Sequence, residues 1–288
     1  YGPIAVDPTA KVLHYAAGIF EGLKAFCIEQ QEVQIFRPAE NFVRLNNSAR
    51  QMCMPELPFD LFEDSLFTLV AQVARFVPRQ AGQSLYIRPF MIGTGSGLGL
   101  SESTSYSYYL VASPSEDVFA GTMQVRIERD DSRVPIGHMG AAKAGGNYAA
   151  SLLAAARSSD AGFNQTLWLD AKQQKFVEEL SGMNFFCIVD SVLQTPCLSG
   201  SILPGITRDS IVQLANKENL EVREMQLDID ILAEQIRSGE CTEAFSCGTA
   251  AIVAPIASLG ESDGTRYSLA NAPGPVTQLL RDRLLGIQ

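Results

Sequence analysis

The sequence predicts a mixed α/β protein of the α+β type, a smaller N-terminal α/β domain followed by a larger C-terminal one, and three observations carry that prediction. The chain has 288 residues, room for about two domains at roughly 150 residues each. Hydrophobic residues make up 46% and charged residues 19%, a balance that folds around a core rather than staying disordered. Short β-like runs alternate with segments of helical apolar spacing on both sides of a break at Pro114 to Gly121. Pro, Ser, acidic residues and Gly crowd that break, which sets the expected domains at 1–113 and 123–288 with a connector over 114–122.

In the first domain, Val12 to Tyr15, Leu23 to Ile28 and Val33 to Phe36 read as strands. Ala39 to Met52 repeats apolar residues at Phe42, Leu45 and Ala49, a helix, and Phe59 to Val77 is a second. Strands follow at Ser84 to Ile92 and Tyr106 to Ala112, separated by the glycine-rich tract Gly93 to Ser105. In the second domain, strands are expected near Gln124 to Arg129, Gln165 to Leu169, Asn184 to Val189 and Glu243 to Ser246. Helices are expected at Asn147 to Arg157, Arg208 to Lys217, Ile229 to Ser238 and Val276 to Leu285. Tyr1-Gly2-Pro3-Ile4 reads as the middle of a loop, so a further segment is expected upstream.

Composition narrows the partners. A net charge of −10 repels phosphate backbones and anionic headgroups, which argues against nucleic acid. The longest apolar runs, such as Ala250 to Ala257, are too short to span a bilayer, so no membrane role is expected, and with nothing in the sequence that suggests secretion a cytoplasmic location is expected. The six cysteines, at 27, 53, 187, 197, 241 and 247, show no C-x-x-C spacing and read mostly as small buried hydrophobes. His14 and His138 are too few and too far apart in sequence for a metal site, so no metal is expected.

One segment stands out chemically: Gly140-Ala-Ala-Lys143-Ala-Gly-Gly-Asn147-Tyr148, a lysine among small residues ahead of an Ala-rich helix. Poor solvation favours the neutral amine, the form of a lysine that condenses with an aldehyde, although a solvated lysine in a glycine-rich turn is an equal reading of this segment alone. Leu203-Pro-Gly-Ile-Thr207 places Pro and Gly ahead of a helix, and Ser246-Cys-Gly-Thr249 places Gly-Thr after a strand. Each is a position where backbone N–H groups and a hydroxyl converge on an anion, and each also resembles an ordinary helix cap.

These blocks, with Phe20-Glu-Gly-Leu-Lys-Ala-Phe26 and Glu179-Leu-Ser-Gly-Met-Asn184, resemble in order the branched-chain amino acid aminotransferases. Those are fold-type IV enzymes that use pyridoxal 5'-phosphate (PLP). The resemblance implies that Lys143 carries the cofactor and moves the substrate's α-proton. It implies further that Tyr148 hydrogen-bonds the ring oxygen and that Glu179 keeps the pyridine nitrogen protonated. Arg44, Ile206, Thr207 and Thr249 would then hold the phosphate, with Leu203 against the ring face.

For the substrate, the resemblance implies a pocket of Tyr15, Phe20, Gly22 and Tyr86, with amides at Thr249 and Ala250 for the α-carboxylate. Arg88 would meet the side-chain carboxylate of glutamate. The expected reaction is reversible ping-pong amino transfer between Leu, Ile or Val and 2-oxoglutarate, by a homodimer. D-amino acid aminotransferases and aminodeoxychorismate lyases share the fold, and the length and the Phe20-Glu-Gly motif favour the first reading. A non-catalytic PLP-binding protein is opposed by the joint presence of Lys143, Tyr148 and Glu179. The tract Gly93-Thr-Gly95-Ser-Gly97-Leu-Gly99 fits no G-x-G-x-x-G window and reads as a mobile loop at the substrate entrance.

Overall fold

The computed structural model describes residues 2–28, 32–80, 82–116, 121–137 and 139–288. Its contacts divide the chain into two units, residues 1–116 with 142–147, and residues 117–141 with 148–288. The segment around Lys143 therefore groups with the N-terminal unit although it lies well beyond the expected connector. Residues 117–120 of that connector, and His138, lie outside the described residues.

The first unit begins with α1 (Lys11–Tyr15), where a strand is expected. Four apolar-biased residues cannot define a period, and the place beside the sheet is taken by β1 (Gly18–Phe20), opposite Phe90–Ile92. β2 (Leu23–Cys27) and β3 (Val33–Ile35) match the sequence reading. α2 (Pro38–Gln51) starts on a proline whose missing N–H costs nothing there, and α3 (Phe59–Val73) continues into a 3₁₀ turn over Ala74–Phe76. β4 (Ser84–Gly93) is the central strand of an antiparallel sheet. β5 (Tyr106–Ser115) covers one edge of it, and β2 and β1 share the other. Leu45 and Ala49 of α2, Phe62 and Leu66 of α3 and Leu85 and Ile87 of β4 are all buried in this unit.

The glycine-rich tract between β4 and β5 is tied by hydrogen bonds. Gly95 N–H donates to Ser103 Oγ at 2.9 Å, Gly97 N–H donates to Thr9 Oγ1 at 3.0 Å, and the Lys11 ammonium donates to the Gly99 carbonyl.

In the second unit, β6 (Met123–Glu128) runs parallel to β7 (Gln165–Leu169) and to β13 (Ile252–Gly260). Between β6 and β7 the expected single helix is two, α4 (Gly145–Ala150) and α5 (Leu152–Asp160). Ser151 parts them: its hydroxyl donates to the Tyr148 carbonyl at 2.8 Å, competing with the helical ladder. β8 (Val177–Leu180), β9 (Asn184–Val189) and β10 (Val192–Pro196) follow, then α6 (Ile206–Lys217), β11 (Val222–Met225) and α7 (Ile229–Ser238). β12 (Cys241–Gly248), β13, β14 (Arg266–Ser268) and α8 (Pro275–Leu285) complete the chain.

Strand pairing in this unit runs β9–β12–β13–β6–β7–β8 and returns from β8 to β9, closing a ring. Leu167, Val177, Phe185, Ala244, Ile256 and Ile229 belong to one buried cluster within the unit. Three strands of the ring, β7, β9 and β13, are almost wholly buried, which is why they read as apolar runs rather than as alternating patterns, and β8 is buried as well although two of its four residues are glutamates. Of the cysteines, 187, 241 and 247 are buried, 27 and 197 are half-buried and Cys53 is exposed. Among the described residues, no helix is long and apolar enough to cross a membrane.

Candidate active site

In the first unit, Lys143 is fixed through its backbone. Its N–H donates to Ser48 Oγ of α2 at 2.9 Å, its carbonyl accepts from Phe20 N–H at 3.0 Å, and Ala144 bridges to Ile19 of β1. Ala142 and Ala144 on either side are buried, so small residues let the segment lie against β1. The Lys143 ammonium sits 5.0 Å from the centre of the Phe20 ring.

Next to Phe20, the Glu21 side chain is wholly buried and accepts from Arg44 Nε and Nη2, both at 2.8 Å, and from Asn41 Nδ2 at 2.7 Å. Burial by itself would raise this carboxyl. The Arg44 guanidinium, the charge of Lys143 and the Asn41 amide outweigh burial and hold it below the ordinary carboxylate range. Arg44 is thus buried, with one edge of its guanidinium bound to Glu21.

Arg88 and Tyr86, two apart on β4, point to the same side of the sheet. Arg88 Nη2 donates to Tyr86 Oη at 2.7 Å, and its guanidinium carbon lies 4.7 Å from the Phe20 ring and 5.2 Å from the Tyr86 ring. Gly22 makes room for this arrangement, because a Cβ there would collide with Tyr86 Oη. A pocket of about 470 Å³ opens beside it, lined by Val12, Gly18, Phe20, Arg88, Phe90 and Ile92, among others. The exposed Tyr15 side chain donates to the Leu98 carbonyl.

In the second unit, Glu179 of β8 faces Asn184 of β9 across the ladder. Its Oε1 pairs with Arg133 Nη2 at 2.7 Å and accepts from Leu203 N–H at 3.2 Å, and its Oε2 accepts from Asn184 Nδ2 at 3.1 Å. Asn184 also donates to the Leu203 carbonyl at 3.0 Å, which fixes the turn before α6. Gly205 is required there, since a Cβ would collide with Asn184 Oδ1. Gly205 caps α6 without a side chain, so Ile206 and Thr207 open the helix with a first turn of the kind that receives an anion. Thr249 is half-buried and Ala250 exposed in the turn after β12, and the Tyr148 ring comes within 3.9 Å of where a Gly182 Cβ would lie.

The structure thus brings Phe20, Gly22, Tyr86, Arg88 and Lys143 together in one unit, and Glu179 with Leu203 in the other. Glu21, Asn184 and Arg133 are additional. The first two lie inside motifs whose spacing is visible in the sequence, whereas Arg133 has no local signal at all.

The sequence profile of the family described as amino-transferase class IV matches residues 18–259. The chain belongs to that family. It is 46% identical to the branched-chain-amino-acid aminotransferase of Mycolicibacterium smegmatis, over all of this chain and 80% of that one. The Escherichia coli branched-chain amino acid aminotransferase superposes with a TM-score of 0.81 at 30% identity, covering 98% of this chain and 88% of the other. The T.th. branched-chain amino acid aminotransferase complexed with N-(5'-phosphopyridoxyl)-L-glutamate superposes with a TM-score of 0.81 at 28% identity, covering 99% and 90%. The expected fold type is therefore correct, and the chain is an aminotransferase.

The residues present fit PLP chemically. The buried Glu179 carboxylate suits a protonated pyridine nitrogen, the side-chain-free start of α6 suits a phosphate, and Lys143 suits an aldehyde.

Proposed function

We propose that this aminotransferase uses PLP to move amino groups between leucine, isoleucine or valine and 2-oxoglutarate. The observation that carries the reading is the pocket of the first unit, an apolar wall of Val12, Phe20, Phe90 and Ile92 with a single guanidinium, Arg88, held at its side by aromatic rings. Such a pocket takes a branched hydrocarbon directly and gives a second carboxylate one partner. The relatives' activity supports the same substrates.

Bound PLP supplies an aldehyde that captures amino groups and a ring that accepts the electrons left at the substrate Cα. In this reading Lys143 holds the cofactor and carries the α-proton, its amine steadied over the Phe20 ring. Glu179 keeps a proton at the pyridine nitrogen, and Tyr148 donates to the ring oxygen. Leu203 packs on the ring face. Ile206, Thr207, Thr249 and Arg44 bind the phosphate, with Glu21 holding Arg44 in a fixed orientation. The amides at Thr249 and Ala250 take the α-carboxylate. A cytoplasmic homodimer belongs to the same reading and rests on family likeness.

The test is the visible spectrum of the PLP-loaded protein with L-leucine, D-alanine or aminodeoxychorismate added in turn. L-Leucine should change the cofactor band, and 2-oxoglutarate should restore it. A response to D-alanine or aminodeoxychorismate alone would overturn the assignment.

A further inference from the structure

We propose that Arg133 is the positioning residue that keeps the cofactor's ring nitrogen protonated, acting through Glu179. The proposal deepens the reading of Glu179 as the pyridine partner and rests on it.

Arg133 belongs to none of the motifs, yet it is only 7% exposed and its Nη2 lies 2.7 Å from Glu179 Oε1. The same nitrogen donates to the carbonyls of Gly140, at 3.0 Å, and Ser201. Its Nε–H is buried with no acceptor among the described residues, so the Nη end sets the guanidinium's direction. Burying a guanidinium is costly unless it meets a counter-charge. Tying two carbonyls together requires only a neutral donor. The full charge finds its use at the carboxylate.

Asn184 Nδ2 and Leu203 N–H also bond Glu179, and both are neutral donors. Between neutral donors alone, a buried carboxylate competes with the ring nitrogen for one proton. A guanidinium in contact keeps the negative charge on the carboxylate, and the proton stays on nitrogen. Glu178, next along β8, receives the Ser201 hydroxyl instead. Burial pushes its carboxyl up, with Asp170 adding to that and Arg133 opposing it, so it too must be included in the test.

The experiment is ¹⁵N NMR of the holoenzyme loaded with ring-¹⁵N PLP, followed against pH, with thermal unfolding recorded alongside. The native protein should show a protonated ring nitrogen. Arg133→Gln should move the signal towards the neutral form, whereas Glu178→Gln should leave it in place. An Arg133→Gln signal that stays protonated while the melting temperature falls would mean a purely structural clamp and would overturn the proposal. So would an equal response to Glu178→Gln.

Where Arg133→Gln does not fold, Arg133→Lys decides. One ammonium in place of the fork should lower the pH at which the ring proton is lost, and an unchanged midpoint overturns the idea. Glu179→Gln is the separate control: a signal unaffected by it would overturn the pyridine-partner reading itself, independently of the Arg133 variants.

Discussion

Replacing Glu21 with glutamine leaves the Arg44 guanidinium buried beside a neutral amide. The native carboxylate is wholly buried and accepts two bonds from Arg44 at 2.8 Å, one from Asn41 at 2.7 Å and one from Gly22 N–H at 3.1 Å. Removing one partner of a buried, bonded pair costs about 3–5 kcal/mol, against about 0–1 kcal/mol for an exposed bridge. Urea unfolding of the apoprotein at pH 7, followed by circular dichroism, should therefore show Glu21→Gln destabilised by about 3–5 kcal/mol. The double variant Glu21→Leu with Arg44→Met should recover most of that loss, because an apolar pair of similar volume replaces both charges.

The sign of the pH dependence follows from the lowered Glu21 carboxyl. A folded-state value below the unfolded value of about 4.5 means that the pair stabilises fully above that pH and loses its contribution as pH falls through the lower folded value. The native and Glu21→Gln curves should converge on acidification. A loss under about 1 kcal/mol at pH 7, or a gap that does not shrink in acid, would show that the Glu21–Arg44 pair does not stabilise the fold.

Two further substitutions probe the substrate side. Arg88→Gln should slow the glutamate half reaction by about 2–5 kcal/mol, on the order of 30-fold or more, and the leucine half reaction far less. Single-turnover rates measured separately for the two amino acids check this, and equal slowing of both would place Arg88 at the α-carboxylate instead. Gly22→Ala should displace the Tyr86 hydroxyl, loosen Arg88 and raise KM for glutamate more than for leucine, at a stability cost of about 1–3 kcal/mol. KM values for both donors with a melting curve decide it, and an unchanged melting temperature would contradict the close contact.

Helices with clear apolar spacing, such as α2 and α7, and strands bounded by turns, such as β4 and β9, were legible from the sequence. The run Val12 to Tyr15 was not, because its conformation is decided by β1 occupying the strand position beside β4. β8 is not legible, because a strand of two glutamates between apolar residues has no period, and both carboxylates are buried by partners distant in sequence, Arg133 and Ser201. The site divides in the same way. Lys143, Phe20 and Arg88 lie in recognisable blocks. The Arg44–Glu21 pair joins residues 23 apart and the Arg133–Glu179 pair residues 46 apart, and only the folded chain brings each pair into contact.

In the proposed function Lys143 carries PLP, and the bound cofactor exchanges amino groups with branched-chain amino acids. The most direct measurement is borohydride reduction of the PLP-loaded protein, with and without prior L-leucine, followed by peptide mapping. Without leucine, the pyridoxyl group should be found on Lys143, and Lys143→Ala should carry none there. With leucine, labelling of Lys143 should fall as the cofactor leaves with the amino group. A pyridoxyl group on another lysine, or labelling of Lys143 that leucine does not reduce, would contradict the account.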